Sequence, residues 1–315
     1  MKIGLALGGG GAKGYAHLGV IKVLEQAGIK IDLVTGTSIG ALVGAIYAAG
    51  KHRDLEREVK DLKITDIPGL LSPSWCLSGL FSGNSVFEIL GDLIGVDSFS
   101  DLLLPFSAVS TDIYSGERIV HSSGSVQSAV RASASIPGIF TPVELNNRVL
   151  VDGGLVDPVP VQAAYEMGAD FVIAVDLFGH TPNPAAKLGL PNDDGWPTPI
   201  KTSLGYLKSL ADKLPWSQRL LGEGSDAAGK FENHSGKVPT RAPNLLDIVE
   251  CTLAHSQRIL TEYRLQASPP ELLIQPDVTM IDMLDFHRAE IGIGQGVTAG
   301  NSCLDQLKAA LQQAR

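Results

Sequence analysis

"GGGGAKGYAHLGV", residues 8–20, follows the short apolar run KIGLAL at residues 2–7 and leads into a helical pattern. Four consecutive glycines at a strand-to-helix junction let bare backbone amides come close to a negative charge. That charge is either a cofactor's phosphate or an oxygen that becomes negative only during a reaction. Gly9, Gly11 and Gly14 satisfy GxGxxG, the dinucleotide fingerprint, which also asks for an acidic residue at the end of the second strand to meet a ribose. Here Asp32 stands at the start of that strand, and its end carries Gly36-Thr37-Ser38. A P-loop fits less well, because Lys13 is followed by Gly14 rather than Ser or Thr.

Outward from the glycines, Leu18, Val20, Ile21, Val23, Leu24 and Ala27 recur at helical spacing up to Gly28, a C-terminal stop. A second strand is expected near residues 31–34, and IGALVGAIYAAG then reads as a helix ending at Gly50. The order β-α-β-α predicts an α/β fold with a mostly parallel central sheet. The small residues Gly40, Ala41, Gly44, Ala45 and Ala48 place the second helix very close to that sheet. Further elements follow: a charged helix RDLEREVKDL, a helix near 86–94, strands at 106–110 and 118–121 around a YSGE turn, and a helix SVQSAVRASAS. VELNNRVLVDGG reads as a hairpin with Asn146 and Asn147 in its turn, followed by a helix at 161–167 and the strand FVIAVDLF.

Composition then changes. Residues 179–243 hold 8 of the 18 prolines and are expected to form an irregular, lid-like insertion. Within them Leu204, Leu207, Leu210 and Leu214 make an amphipathic helical face. Long helices are expected at 244–266 and 297–313, which gives a core over 1–178, the insertion over 179–243, and a helical part over 244–315 packing on the core. In the stretch 64–81 Asp66 is the only charge among Leu70, Leu71, Trp75, Leu77, Leu80 and Phe81, a candidate wall or lid for an apolar groove.

The 315 residues carry 25 Lys and Arg against 34 Asp and Glu, a net charge of −9. Such a balance excludes broad phosphate-driven nucleic-acid binding and a polybasic membrane surface. Cys76, Cys251 and Cys303 form no CxxC pattern, so neither a zinc site nor a disulfide framework is expected. The first apolar run is too short for a secretory segment and no run approaches a membrane span. The expected setting is cytoplasmic, peripheral at a membrane, with transient contact at its surface.

GTSIG at residues 36–40 lies between the second strand and the small-residue helix. That is the arrangement of a nucleophile elbow, in which Gly36 and Gly40 make room for a strained turn and Ser38 stands at a helix N-terminus. A capping serine with coincidental glycines gives the same letters. What separates the two is the glycine-rich loop leaving the neighbouring strand at the same sheet edge: amides of Gly9, Gly10 and Gly11 would form an oxyanion hole beside Ser38. The serine still needs a base. His17 sits on the first helix as a packing or hydrogen-bonding residue, and none of His52, His121, His180, His234, His255 and His287 has a distinguishing neighbourhood. VDGG, by contrast, puts Asp152 at the tip of an apolar strand, with Gly153 and Gly154 admitting other backbone. Asp152 is therefore the candidate base, provided burial raises its basicity. An Asp-Gly-Gly turn is the bland alternative, and Asp157 before Pro158 a rival acid.

These residues resemble the bacterial patatin-like phospholipase family: GGGAKG at 9–14, GTSIG at 36–40 and DGG at 152–154 stand in its order, and ASASIPGIFTPV at 132–143 is similar to the stretch leading into its aspartate. The resemblance implies a three-layer α/β/α sandwich with a mostly parallel sheet. It also implies a Ser38–Asp152 dyad, an acyl-enzyme resolved by water, a phospholipid or lysophospholipid ester as substrate, and no metal or cofactor. Lys13 takes a position that is basic in the family, where it would orient the loop, meet a substrate phosphate, or stand solvated. Two other readings stay open at this stage: a nucleotide-binding oxidoreductase using the GxGxxG loop, and a non-catalytic lipid-binding regulatory protein on the same fold.

Overall fold

The computed structural model describes residues 1–63, 65, 79–82, 84–180 and 245–314. It falls into two compact units, residues 1–180 with 257–315, and residues 181–256. Leu70, Leu71 and Trp75 of the expected groove wall, and the amphipathic face at Leu204–Leu214, lie outside the described residues.

The first unit is built on β1 (Ile3–Leu7), buried along its whole length as expected of a strand covered on both faces. Next come α1 (Tyr15–Gln26), β2 (Leu33–Thr37), α2 (Ile39–Ala48), α3 (His52–Asp61), the short β3 (Gly79–Phe81) and α4 (Asn84–Ile94). The chain continues through β4 (Phe106–Asp112), β5 (Arg118–His121), α5 (Val126–Ser133), β6 (Gly138–Phe140), β7 (Val143–Leu145) and β8 (Arg148–Asp152). The remaining elements are α6 (Val161–Glu166), β9 (Phe171–Val175), α7 (Leu245–Ala267), β10 (Leu272–Ile274) and α8 (Ala289–Gln313).

The main sheet has the order β10-β9-β1-β2-β4-β8-β7, with β5 on the other edge of β4. From β10 to β4 every pairing is parallel, and β5, β7 and β8 add antiparallel ladders. One face buries Leu5, Leu7, Ile21, Val34, Ile46 and Phe106 under α1, α2, α5 and α8. The other buries Ala6, Leu33, Val159, Val161, Ala164 and Val172 against α6, with Leu265 of α7 at its margin. The fold is the expected three-layer sandwich.

The topology of β4 positions the site. Ala108 and Val109 pair with both β2 and β5, so those two strands lie on opposite edges; Ser110 and Thr111 pair with both β5 and β8, so β8 shares the β2 edge. Along that edge β2 runs up to Thr37, opposite Val109, and β8 runs down to Asp152, opposite Ser110. The two strands therefore abut tip to tip, and Ser38 follows one tip where Asp152 ends the other.

The short strands β3, β6 and β10 were not expected from the sequence, and two expected elements start elsewhere. β2 starts at Leu33 rather than residue 31, because Asp32 turns back to accept the Ile3 amide at 2.9 Å through its carboxylate. Helix α8 begins at Ala289, eight residues before the expected start at Val297. Gly292, Gly296 and Gly300 line the face that meets α1, where a Cβ at Gly296 would overlap the Ala16 backbone and one at Gly300 would lie 3.0 Å from Val23 Cβ. Close approach to α1, not a break, explains them.

Candidate active site

Ser38 holds φ 57° and ψ −125°, a conformation that costs an ordinary residue about 1–3 kcal/mol. It persists because its surroundings fix it. The Ser38 amide donates to Ser133 Oγ at 2.9 Å, whose hydroxyl in turn donates to Val109 O. The Ser38 carbonyl accepts the Ala41 and Leu42 amides at 2.9 and 3.2 Å, starting α2. Thr37 Oγ1 donates to Asp157 O at 2.8 Å, tying the strand tip to the loop after Asp152. The flanking glycines are required sterically: a Cβ at Gly36 would overlap Gly40 O and sit 2.5 Å from Ala41 Cα, and one at Gly40 would overlap Leu7 O and sit 2.6 Å from Gly8 O. Gly40→Ala should therefore push α2 off the sheet, at a cost of about 1–3 kcal/mol. Because Ser38 rides on that junction, the same variant should lose at least about tenfold in esterase rate, checked by a thermal melt beside a chromogenic ester assay.

Asp152 is 2% exposed and Ser38 5%. The aspartate's amide donates to Ser135 O at 2.9 Å, Thr111 Oγ1 donates to its carbonyl at 2.8 Å, and its Oδ1 accepts the Gly154 amide at 2.7 Å. A Cβ at Gly153 would overlap Val109 O, so this glycine lets backbone close around the carboxylate, and one at Gly154 would meet the side-chain amide of Gln257. Burial raises the Asp152 pKa to about 6, against the opposing pull of the Ser38 hydroxyl and the Gly154 amide. Ser38 thus acts on this carboxylate, while Oδ2 has no hydrogen bond of full geometry among the described residues. Resting catalytic contacts are commonly long or misaligned and tighten with substrate.

Ser133 and Ser135 are site residues that the sequence reading did not assign. The stretch ASAS at 132–135 was legible as part of a motif, but nothing in its spacing says that the Ser133 side chain takes the amide of Ser38 and the Ser135 carbonyl the amide of Asp152. Asp157, the rival acid, is not free to serve: its carboxylate is paired with Arg118 Nη1 at 3.0 Å, and Arg118 also reaches Glu166.

The glycine loop lies against the serine, and a Cβ at Gly9 would come 3.4 Å from Ser38 Cβ. Its amides are not equivalent. Gly8 N donates to Val175 O at 3.0 Å, Gly9 N to Pro158 O at 2.9 Å and Ala12 N to Met283 O at 2.8 Å. Among the described residues Gly10 N and Gly11 N have no such acceptor. Gly9 therefore supplies close approach, and the unspent donors are Gly10 and Gly11. Gly14 packs under Ile39, whose side chain a Cβ there would overlap. Lys13 is not a solvated surface lysine: it is 8% exposed, with its ammonium 5.8 Å from the Phe178 ring centre.

Among the described residues no histidine is hydrogen-bonded to Ser38 or Asp152. His17 bonds Gly8 O, His121 bonds Ser110 Oγ and His180 bonds Gln275 O. His234 lies outside the described residues. Asp32, the residue a dinucleotide ribose would need, is engaged at the opposite end of β2 from the glycine loop.

A strained serine and a desolvated aspartate abutting at two strand tips, under a glycine-rich loop, occur on residues 5–165 of this chain, which match the family model described as patatin-like phospholipase. The chain belongs to the patatin-like phospholipase family. An NTE family protein of Mycobacterium tuberculosis is 31% identical over 96% of this chain and 91% of its own length. The human patatin-like phospholipase domain-containing protein 6 is 36% identical over 56% of this chain, which corresponds to 13% of that protein. Lysophospholipase NTE1 of the fungus Coccidioides immitis is 29% identical over 97% of this chain and 18% of its own length.

Proposed function

We propose that this lipid acyl hydrolase works through Ser38 as nucleophile, Asp152 as general base, and the Gly10 and Gly11 amides as oxyanion donors. The observation that carries the reading is the tip-to-tip meeting of β2 and β8, which brings a strained serine to a buried carboxylate with a pKa near 6. Ser38 Oγ attacks the ester carbonyl carbon while its proton passes to Asp152. The carbonyl oxygen becomes an oxyanion and is met by the two unspent amides. Collapse of the tetrahedral species breaks the ester C–O bond, and the departing alcohol takes the proton from Asp152. Water then attacks the acyl-serine with Asp152 again as base, which releases a fatty acid and restores the hydroxyl.

A buried nucleophile and a desolvated base suit an ester carried on an apolar chain. The substrate proposed is a lysophospholipid or phospholipid, the former favoured by the name of the fungal relative. It would be drawn from a lipid surface by transient contact of a cytoplasmic enzyme; no helix among the described residues is long and apolar enough to cross a membrane. Lysophosphatidylcholine, phosphatidylcholine and triacylglycerol incubated in parallel, with fatty acid release measured, test the substrate class. Release from the first or second, together with fluorophosphonate labelling mapped to Ser38, is the expected result. Labelling at another serine would overturn the site.

A further inference from the structure

The run of four glycines carries an unresolved physical problem. Peptide planes between glycines flip readily, because no Cβ restricts them, and a flipped plane would turn an oxyanion donor into a carbonyl. Gly10 and Gly11 hold φ values of 150° and 59°, so the turn itself selects glycine and supplies no steric lock.

The planes on either side are fixed. The Gly8–Gly9 plane is held at both ends: its carbonyl is bonded to His17 Nε2 at 2.8 Å and its amide donates to Pro158 O at 2.9 Å. A carbonyl can only accept, so Nε2 carries the proton and His17 is the neutral Nε2–H tautomer. Burial keeps it so, lowering its pKa to about 4. Its Nδ1 has no partner among the described residues, so the ring's one hydrogen bond there is the one to the loop. The Gly11–Ala12 plane is held by Met283 O through the Ala12 amide at 2.8 Å, and a Cβ at Gly11 would overlap that same carbonyl. The Gly9–Gly10 and Gly10–Gly11 planes, which carry the two unspent amides, lie between these fixed points, and the second runs into the 3-10 turn Gly11–Gly14 that Gly10 caps.

Met283 belongs to a segment far outside the family-matched residues 5–165. That segment is itself braced. Arg288 Nη1 donates to Met280 O at 2.7 Å, Asp285 Oδ2 accepts the Asp282 amide at 3.1 Å and lies 3.6 Å from Arg288 Nε, and Phe286 meets the Tyr15 ring edge-on at 6.4 Å.

We propose that His17 and the Met283 segment braced by Arg288 are positioning elements of the reaction, a two-ended clamp that keeps the Gly10 and Gly11 amides turned toward the oxyanion. This rests on the Ser38–Asp152 reading. It assigns a catalytic consequence to a C-terminal segment that makes no contact with the reacting atoms. Substrate binding does not depend on the clamp, whereas stabilisation of the tetrahedral species does.

The test compares His17→Met, which fills the space without a donor, His17→Gln, which restores a donor at the position of Nε2, and Arg288→Met, which releases Met280 O. Each is measured for kcat and KM on a soluble short-chain ester, for the rate of fluorophosphonate inactivation, and for melting temperature, beside Ser38→Ala. Removing one oxyanion donor typically costs about 10²–10³-fold in kcat. Loosening the loop should cost less: about 10–100-fold for His17→Met and about 3–10-fold for Arg288→Met, with KM within about twofold, and with His17→Gln recovering most of the loss. Equal deficits in His17→Met and His17→Gln accompanied by equal falls in melting temperature would reduce His17 to packing and overturn its part. Wild-type kcat in Arg288→Met would overturn the Met283 part, also if His17→Met fails to fold. Turnover surviving in Ser38→Ala would instead overturn the underlying reading.

Discussion

Replacing Ser38 by alanine should abolish fluorophosphonate labelling and lower ester turnover by at least about 10⁴-fold, because the nucleophile is removed and the remaining oxyanion donors support only residual catalysis. The variant should stay folded, since the bonds that set the turn use the backbone of Ser38 and not its hydroxyl: Ser38 N to Ser133 Oγ, and the Ala41 and Leu42 amides to Ser38 O. Ser38→Gly makes a sharper companion. A residue at φ 57° and ψ −125° stores strain that glycine does not feel. Ser38→Gly should be equally inactive yet more stable than wild type by about 1–2 kcal/mol, read from urea unfolding. The strain holds the hydroxyl out at the tip of β2, so its relief and the loss of function should appear together. An active glycine variant, or one destabilised by a comparable amount, would show that Ser38 is an ordinary turn residue.

The sequence made the serine legible because its neighbours have no steric freedom. Gly36 and Gly40 are glycines for one reason, the overlap any Cβ would make with α2 or with the end of β1, and such a requirement writes itself into the letters. Asp152 was legible in the same way, through Gly153 and Gly154. What spacing cannot express is that β2 and β8 share one edge of β4, since that depends on β4 taking three partners at staggered registers. Nor does a run of identical glycines say which amides are spent. Only the fold, by placing Pro158, separates Gly9 from Gly10 and Gly11. The first turns of α8 were missed for a related reason: Gly292 and Gly296 are there to admit α1, a contact that the spacing of one sequence does not express. Lys13 shows the opposite limit, since its charge left orientation of the loop, a substrate phosphate and bulk solvent all open, and the fold buries it beside Phe178.

Asp152→Asn should reduce turnover by about 10²–10⁴-fold, the usual contribution of a general base, while retaining the shape that holds the loop. The amide oxygen can still accept the Gly154 N–H now held by Oδ1. Wild-type activity should itself rise with an apparent pKa near 6, the value to which burial lifts Asp152, and at one pH unit below it the rate of fluorophosphonate labelling should be about tenfold under its plateau. The stability consequence has the opposite sign. Asp152 titrates at about 6 in the fold against an ordinary value of 3.8 in the unfolded chain, so between those values the folded state binds the extra proton. Stability therefore falls as pH rises through that window. Above pH 6 the ionised, desolvated carboxylate costs the fold on the order of 3 kcal/mol, since each pH unit between the two values corresponds to about 1.4 kcal/mol. Asparagine carries no such cost. At pH 7.5 the Asp152→Asn protein should melt several degrees above wild type, at about 2–4 °C per kcal/mol for a domain of this size, and the two melting curves should converge below pH 4. Near-normal hydrolysis by the variant, or a melting temperature difference that does not shrink on acidification, would mean that the buried carboxylate serves the fold and not the serine.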